Sequence, residues 1–341
     1  MDRLKQRWKG PDGENRLHTV VRCLQGHGSL ESLPFLERHE NRIDLRGLPL
    51  SAPYETAHRK LETAAGPVRV HAISGRLELK GVTLSGIDFS HADLRGLVLR
   101  RIQAQDCVFF QANCRGWRTF GCRFEYVRFD KTDLREAALG GGLRRWFRSY
   151  PFNEFRFVSF RGADLRGAVF SAPLFQDCDF GSAILDGVNF SASRFVRSRF
   201  AGRLFDVHFE GRQSDVFESI SGSAPRNEMQ QVDFRDADIE ICGFSNEIDL
   251  SNVYLPDGSF LISNMSEVMI HLGERATAIG DQDLLRAARA FVESDAQYSI
   301  ISGNPFIANF KTLRGWCPDD GSTEKLLNLM RDLAQTKATY R

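Results

Sequence analysis

One spacing constrains this chain more than any other feature. Counted in fives from Leu79, the residues are Leu79, Leu84, Phe89, Leu94, Leu99, Ala104, Phe109, Cys114, Thr119, Phe124, Phe129, Leu134 and Leu139. Counted in fives from Phe155 to Phe205, every position is Phe or Leu. A second series two residues earlier is small or β-branched, as at Val82, Ile87, Ala92, Cys107, Ala112, Val158, Ala163 and Ala183. A polar residue sits between the two, as in Ala92-Asp93-Leu94 and Ala163-Asp164-Leu165. A period of five fits neither a helix, at about 3.6, nor a strand, at about 2. It fits a chain that runs extended briefly, turns a corner and repeats, with one large and one small side chain inward per step. The 27 Phe against 6 Tyr and 4 Trp match an interior that takes rings without a polar handle.

The sustained A-[DN]-[LF]-x-x pattern resembles the pentapeptide-repeat family over roughly residues 43–270. The resemblance implies an all-β solenoid, a right-handed quadrilateral parallel β-helix with four pentapeptides per coil and α-helical caps at both ends. Thirty pentapeptides in three blocks make about seven and a half coils, a rod of roughly 36 Å at about 4.8 Å per coil. The third block runs through Phe234, Ile239 and Phe244, slips near Glu247, and resumes at Leu250, Leu255 and Phe260.

Three regions follow: a helical N-terminal cap over 1–42, the repeat over 43–270 and a helical C-terminal region over 271–341. Helices are predicted from Asn15 to Gln25, after Asp281, and after Ser322. The C-terminal helices either cap the rod or also join two copies as a homodimer. Within the repeat, 51–66 reads as a short amphipathic helix through Ala57, Leu61 and Ala64. Residues 140–154 and 211–231 read as loops. The first of these is expected to break the register, because Leu139 and Phe155 are sixteen apart. It carries Arg144, Arg145, Trp146, Phe147, Arg148 and Tyr150, either a solvated excursion or a projecting grip for a partner. Arg95, Arg115 and Arg135, twenty residues apart, predict an arginine ladder of one rung per coil. It is either a solvated lattice with Asp93 and Asp133 between the rungs or a contact for phosphate or acidic protein.

The formal charge of +1 disfavours whole-surface attraction to nucleic acid or to an anionic membrane. It hides a division: 80–203 carries 20 Lys and Arg against 12 Asp and Glu, and 206–267 carries 3 against 13. The polar N-terminus, the absence of a long apolar run and seven scattered cysteines suggest a cytoplasmic protein with reduced thiols. No P-loop, GxSxG, HExxH or dinucleotide fingerprint is present, and the eight histidines lack metal-ligand spacing. No catalytic residue, metal or cofactor is expected. Cys107, Cys122, Cys178 and Cys242 fall in the small inward series and Cys114 in the large one. The expectation is a protein-interaction module, not an enzyme. Members of the family that bind gyrase and protect it from poisons suggest a topoisomerase modulator, with antibiotic self-resistance as its setting. A scaffold rod that assembles other proteins is the alternative.

Overall fold

The structure, a computed structural model, describes residues 2–51, 54–63, 66–75, 77–145, 148–215, 218–219, 222–263, 265–295 and 304–338. From residue 42 onward the chain winds into four-sided coils whose short strands pair in parallel with the coil before and after. Four columns of inward residues define four sides. The first holds Leu79, Leu99, Thr119, Leu139, Phe170, Phe190, Phe209 and Phe244. The second holds Leu84, Ala104, Phe124, Phe155, Phe175, Phe195 and Met229. The third holds Leu45, Phe89, Phe109, Phe129, Phe160, Phe180, Phe200, Phe234 and Leu255, and the fourth Leu50, Leu94, Cys114, Leu134, Leu165, Leu185, Leu204 and Ile239. The chain is thus a β-helix solenoid.

The five-residue period has a direct cause. Three extended residues place the middle one inward, and the corner residue two positions later takes a positive φ, for example His91 at 61°, Arg101 at 52°, Asp106 at 51° and Gln111 at 52°. Glycine and short polar residues adopt that conformation most readily, and the coil imposes it on Arg101, Tyr126 and Phe157 as well. Each coil therefore turns without a loop. Inside, the rings of the third side stack at 4.8 to 5.4 Å from Phe89 to Phe234, the spacing of the backbone ladder itself. Each buried ring contributes about 1.5–3 kcal/mol.

The small inward position, two residues before each large one, often carries a donor. Cys107, Cys122, Thr132, Cys178 and Ser198 each reach a carbonyl of the preceding coil, on Leu84, Leu99, Phe109, Phe155 and Phe175. Polar atoms are thereby satisfied inside an apolar column.

Helices Asp2–Gln6 and Gly10–Leu24 lie against the first coils, and Trp8, Val20 and Leu24 join the coil core. Arg7 holds this contact through two bonds to Asp44, at 2.7 and 2.9 Å, and Arg46 adds another at 3.0 Å. Four helices, Met265–Ile279, Gln282–Asp295, Phe310–Arg314 and Asp320–Ala338, build a second apolar cluster after the coils. Strand Phe306–Ala308 pairs antiparallel with Phe260–Ile262, and Ile307 enters the coil core.

Three expectations are corrected. The 51–66 segment contributes not a helix but the first half of an antiparallel hairpin, Tyr54–Thr63 paired with Gly66–Gly75. Leu50 and Leu79 lie on adjacent sides and flank one corner, and a hairpin returns the chain to its start as a lone helix does not. The spacing of Ala57, Leu61 and Ala64 concealed this, and the signal lay in the alternation of Val68 and Val70 just beyond. Second, the register does not break at 140–154: Phe124 pairs directly with Phe155, so the insert is spliced into one corner. Third, Phe205 is not inward. A four-residue step from Phe200 puts Leu204 inside, and Phe205 lies under the Arg203 guanidinium at 4.3 Å.

Replacing Phe160 by Ala should cost about 3–5 kcal/mol in chemical denaturation, whereas replacing the outward Phe157 should cost about 1 kcal/mol or less. Equal losses at the two sites would contradict the inward column. Acid offers a second check. Burial pushes the Asp44 carboxyl up, but hydrogen bonds from Arg46 and Arg7 outweigh it and hold the group well below the usual carboxylate range. A depressed folded-state pKa stabilises the fold above the unfolded value, about 4, and that stability is lost as pH falls below it. Melting temperatures measured between about pH 2 and 7 should fall more steeply on the acid limb for the native chain than for Asp44→Asn.

Candidate functional site

Two of the three long inserts leave the rod at the same corner, between the first and second sides. One runs from Leu139 to Phe155, the other from Phe209 to Met229. Both are closed in the same way. Asn153 donates its backbone N–H to the Gly140 carbonyl at 2.9 Å, and Asn227 donates to the Gly211 carbonyl at 2.7 Å. Each asparagine is buried, and its side-chain oxygen accepts a backbone N–H of the coil, from Cys122 at 2.8 Å and from Phe195 at 3.2 Å. The Asn153 amide also donates to the Leu139 carbonyl at 2.6 Å and to Thr119 Oγ1.

Glycine is required where the inserts leave. A Cβ on Gly140 would sit 2.4 Å from the Ser171 nitrogen, and one on Gly211 would sit 2.4 Å from the Ile248 nitrogen. Sequence reasoning missed both asparagines, although a signal existed. They occupy the small inward position before Phe155 and before Met229, where other steps carry residues such as Ala, Cys, Val, Ile, Thr or Ser.

Within the first insert, strands Leu143–Arg145 and Arg148–Tyr150 form a short antiparallel hairpin. Arg144, Arg145 and Arg148 therefore lie on its strands, and Trp146 and Phe147 fall outside the described residues. Tyr150 departs from the expected projecting grip. It is buried, its ring 5.8 Å from Phe120 and within 5.5 Å of the Arg100 and Arg101 guanidiniums. An aromatic buried beside two guanidiniums anchors the foot of the hairpin.

The arginine ladder lies elsewhere, on the fourth side. Arg95, Arg115 and Arg135 stack on successive coils, and Arg166 adds a fourth rung. Arg95 pairs with Asp93 at 2.7 Å, Arg135 with Asp133 at 2.6 Å, Arg166 with Asp164 at 2.7 Å, and Arg115 with Glu136. Burial pushes the Asp164 carboxyl up, and the Arg166 hydrogen bonds reverse that and lower it. The ladder neutralises itself within the rod. Since the fourth side is opposite the second, the ladder and the two loops form separate regions.

Burial pushes the Cys107 and Cys178 thiols up to about 12 and that of Cys122 to about 11. Among the described residues, no cluster of His, Cys, Asp and Glu is placed to hold a metal ion, and no helix is long and apolar enough to cross a membrane.

No protein-family model matches the chain, and neither does any curated protein. Solved structures do show similarity. A pentapeptide repeat protein, Rfr23, from the cyanobacterium Cyanothece 51142 is 12% identical, covering 39% of this chain and 87% of its own, with a TM-score of 0.28. A trypsin-treated form of QnrB1, a plasmid-mediated fluoroquinolone resistance protein, is 19% identical over 53% of this chain and 83% of its own, with a TM-score of 0.28. HetL, a pentapeptide repeat protein involved in heterocyst differentiation regulation from the cyanobacterium Nostoc sp. strain PCC 7120, is 18% identical over 53% and 90%, with a TM-score of 0.22. By its own repeat and its four-step coil, the chain is a solenoid built of five-residue repeats.

If the asparagines close the loops, Asn153→Ala and Asn227→Ala should each cost about 1–3 kcal/mol and open the adjacent insert to limited proteolysis. Unchanged cleavage at 140–154 in Asn153→Ala would show that the loop is held by something else.

Proposed function

We propose that this protein is a non-enzymatic interaction module, a rigid right-handed rod with helices over both ends that presents two loops from one corner to a protein partner. The observation that carries this is the common construction of the two loops, each closed by a buried asparagine without disturbing the coil. A rigid scaffold with anchored excursions limits the entropy lost on binding. Surface loops held by a regular framework are also where recognition is usually concentrated.

The partner we name is a type II DNA topoisomerase such as gyrase, in the cytoplasm, with protection from a poison as the outcome. The family resemblance suggests it, and QnrB1, among the similar structures, is a fluoroquinolone resistance protein. The charge pattern favours contact through the loops over imitation of DNA along the whole rod. The carboxylates Asp93, Asp133 and Asp164 are each paired with an arginine, and only 206–267 is strongly acidic. The same pattern supports a second reading, a scaffold that assembles other proteins without touching a topoisomerase.

A supercoiling assay with purified gyrase, with and without a quinolone, separates the two. The native protein should change the quinolone inhibition at micromolar concentration, and deletion of 143–152 should abolish the change. No effect from the folded native protein would refute the topoisomerase reading and leave the scaffold.

A further inference from the structure

The last coil leaves an open strand edge on its first side. Strand Ala237–Ser245 runs across the fourth and first sides and pairs in parallel with Arg199–Glu210 of the coil before it. In earlier coils the groups on the far edge of this stretch bond to the coil that follows. Gly116 and Thr119 donate their N–H groups to the carbonyls of Arg135 and Ala138, and the Leu97 carbonyl accepts from Arg118. The equivalent groups here are the N–H of Ile241 and of Phe244 and the carbonyl of Cys242. Among the described residues, none of the three has a backbone partner. On the fourth side the edge is covered: Asn309 donates its side-chain amide to the Ile239 carbonyl at 3.3 Å, and Lys311 pairs with Asp238. That cover stops short of the first side.

A cavity of about 540 Å³ lies over the open stretch. Seven consecutive residues, Ile239 to Ser245, line it, inward and outward side chains alike. A cavity over the face of a sheet meets every second residue, so this one sits above the strand edge. Its opposite wall includes Met265, Phe306 and Trp316. Ile241 is 55% exposed and Trp316 40% exposed, which puts an apolar lip on each wall. Earlier coils carry Gly96, Gly116, Glu136, Gly167 and Gly187 at the corner of Ile241. An exposed isoleucine there does nothing for the coil, and such residues are candidate contacts.

We propose that this edge is a peptide-binding site that takes an extended segment of a partner protein as an added strand. The chemistry of the edge selects that occupant. Donors and acceptors repeated along a strand are matched by a second extended backbone, which bonds to them in series. Neighbouring strands stand about 4.8 Å apart and the seven lining residues span about 20 Å, so the site holds a single strand of about five to seven residues. Alternate side chains of that strand meet the apolar walls at Phe306 and Trp316 and are apolar themselves, while the others are unrestricted. The site depends neither on the two loops nor on the identity of their partner.

A fluorescein-labelled peptide of alternating valine and threonine, with a lysine at each end, tests this against the native full chain. It should bind with a Kd on the order of 10–100 µM. At saturation, hydrogen exchange at the Ile241 and Phe244 amides should slow at least about tenfold. The same peptide N-methylated at three consecutive central residues should bind at least about tenfold more weakly, since its backbone no longer bonds to the edge. Ile241→Asp and Trp316→Ala should each weaken binding about tenfold, and Ile270→Asp, at an exposed position on helix Met265–Ile279, should leave it unchanged. Circular dichroism melts establish that each variant is folded. No binding by the native chain at about 1 mM, equal affinity for the methylated peptide, or unchanged exchange at Ile241 and Phe244 would overturn the proposal. Binding that appears only when 296–303 is replaced by glycine and serine would assign the edge to the chain's own segment. A dimer in sedimentation equilibrium that Ile241→Asp dissolves would assign it to a second copy. Either result would likewise overturn the proposal.

Discussion

Everything in this molecule depends on the match between two spacings. The backbone ladder sets successive coils about 4.8 Å apart, and aromatic rings stack at nearly the same distance. Phe160 and Phe180, with centroids 4.9 Å apart, satisfy both at once. A side chain that fits one coil therefore fits the next, and the pattern propagates without a designed tertiary contact. Each coil touches only its neighbours, so the rod is stable only when its ends are covered. Trp8, Val20 and Leu24 of the N-terminal helices and Ile307 of the strand Phe306–Ala308 pack into the coil core.

The same constraint explains why the inserts are tolerated. A corner already turns the backbone, so an excursion that leaves and returns at one corner costs loop closure but leaves the ladder intact. Asn153 and Asn227 make that return specific by replacing the small inward residue with a side chain that bonds across the loop base. An insertion within a side would displace an inward residue. Among the described residues, all three long inserts sit at corners.

Much of the fold was legible in the sequence because the repeat is a physical period. Phe124, Phe160 and Phe200 could be placed inside from spacing alone, and all three are buried. Local departures were harder to read. Phe205 obeys the count of five, yet a four-residue step puts Leu204 in its place, a shift no hydrophobic pattern distinguishes when both residues are apolar. The 51–66 segment satisfied a helical spacing because its partner strand lay beyond the window. The foot of the first loop was invisible for a different reason: Tyr150 looks like a surface aromatic until Phe120 and Arg100, thirty and fifty residues earlier, are brought beside it.

The most direct test concerns continuity of register across the first insert. Glu125 and Arg156 are outward neighbours on paired strands, thirty-one residues apart in sequence. Cysteines placed at 125 and 156 stand at a separation of about 5 Å, within the range a disulfide spans. Under mild oxidation they should cross-link rapidly and completely in the folded protein, while cysteines at 125 and 157 should not. Cross-linking of the second pair in preference to the first would mean that the coils slip at the insert, and the continuous column of rings would be wrong.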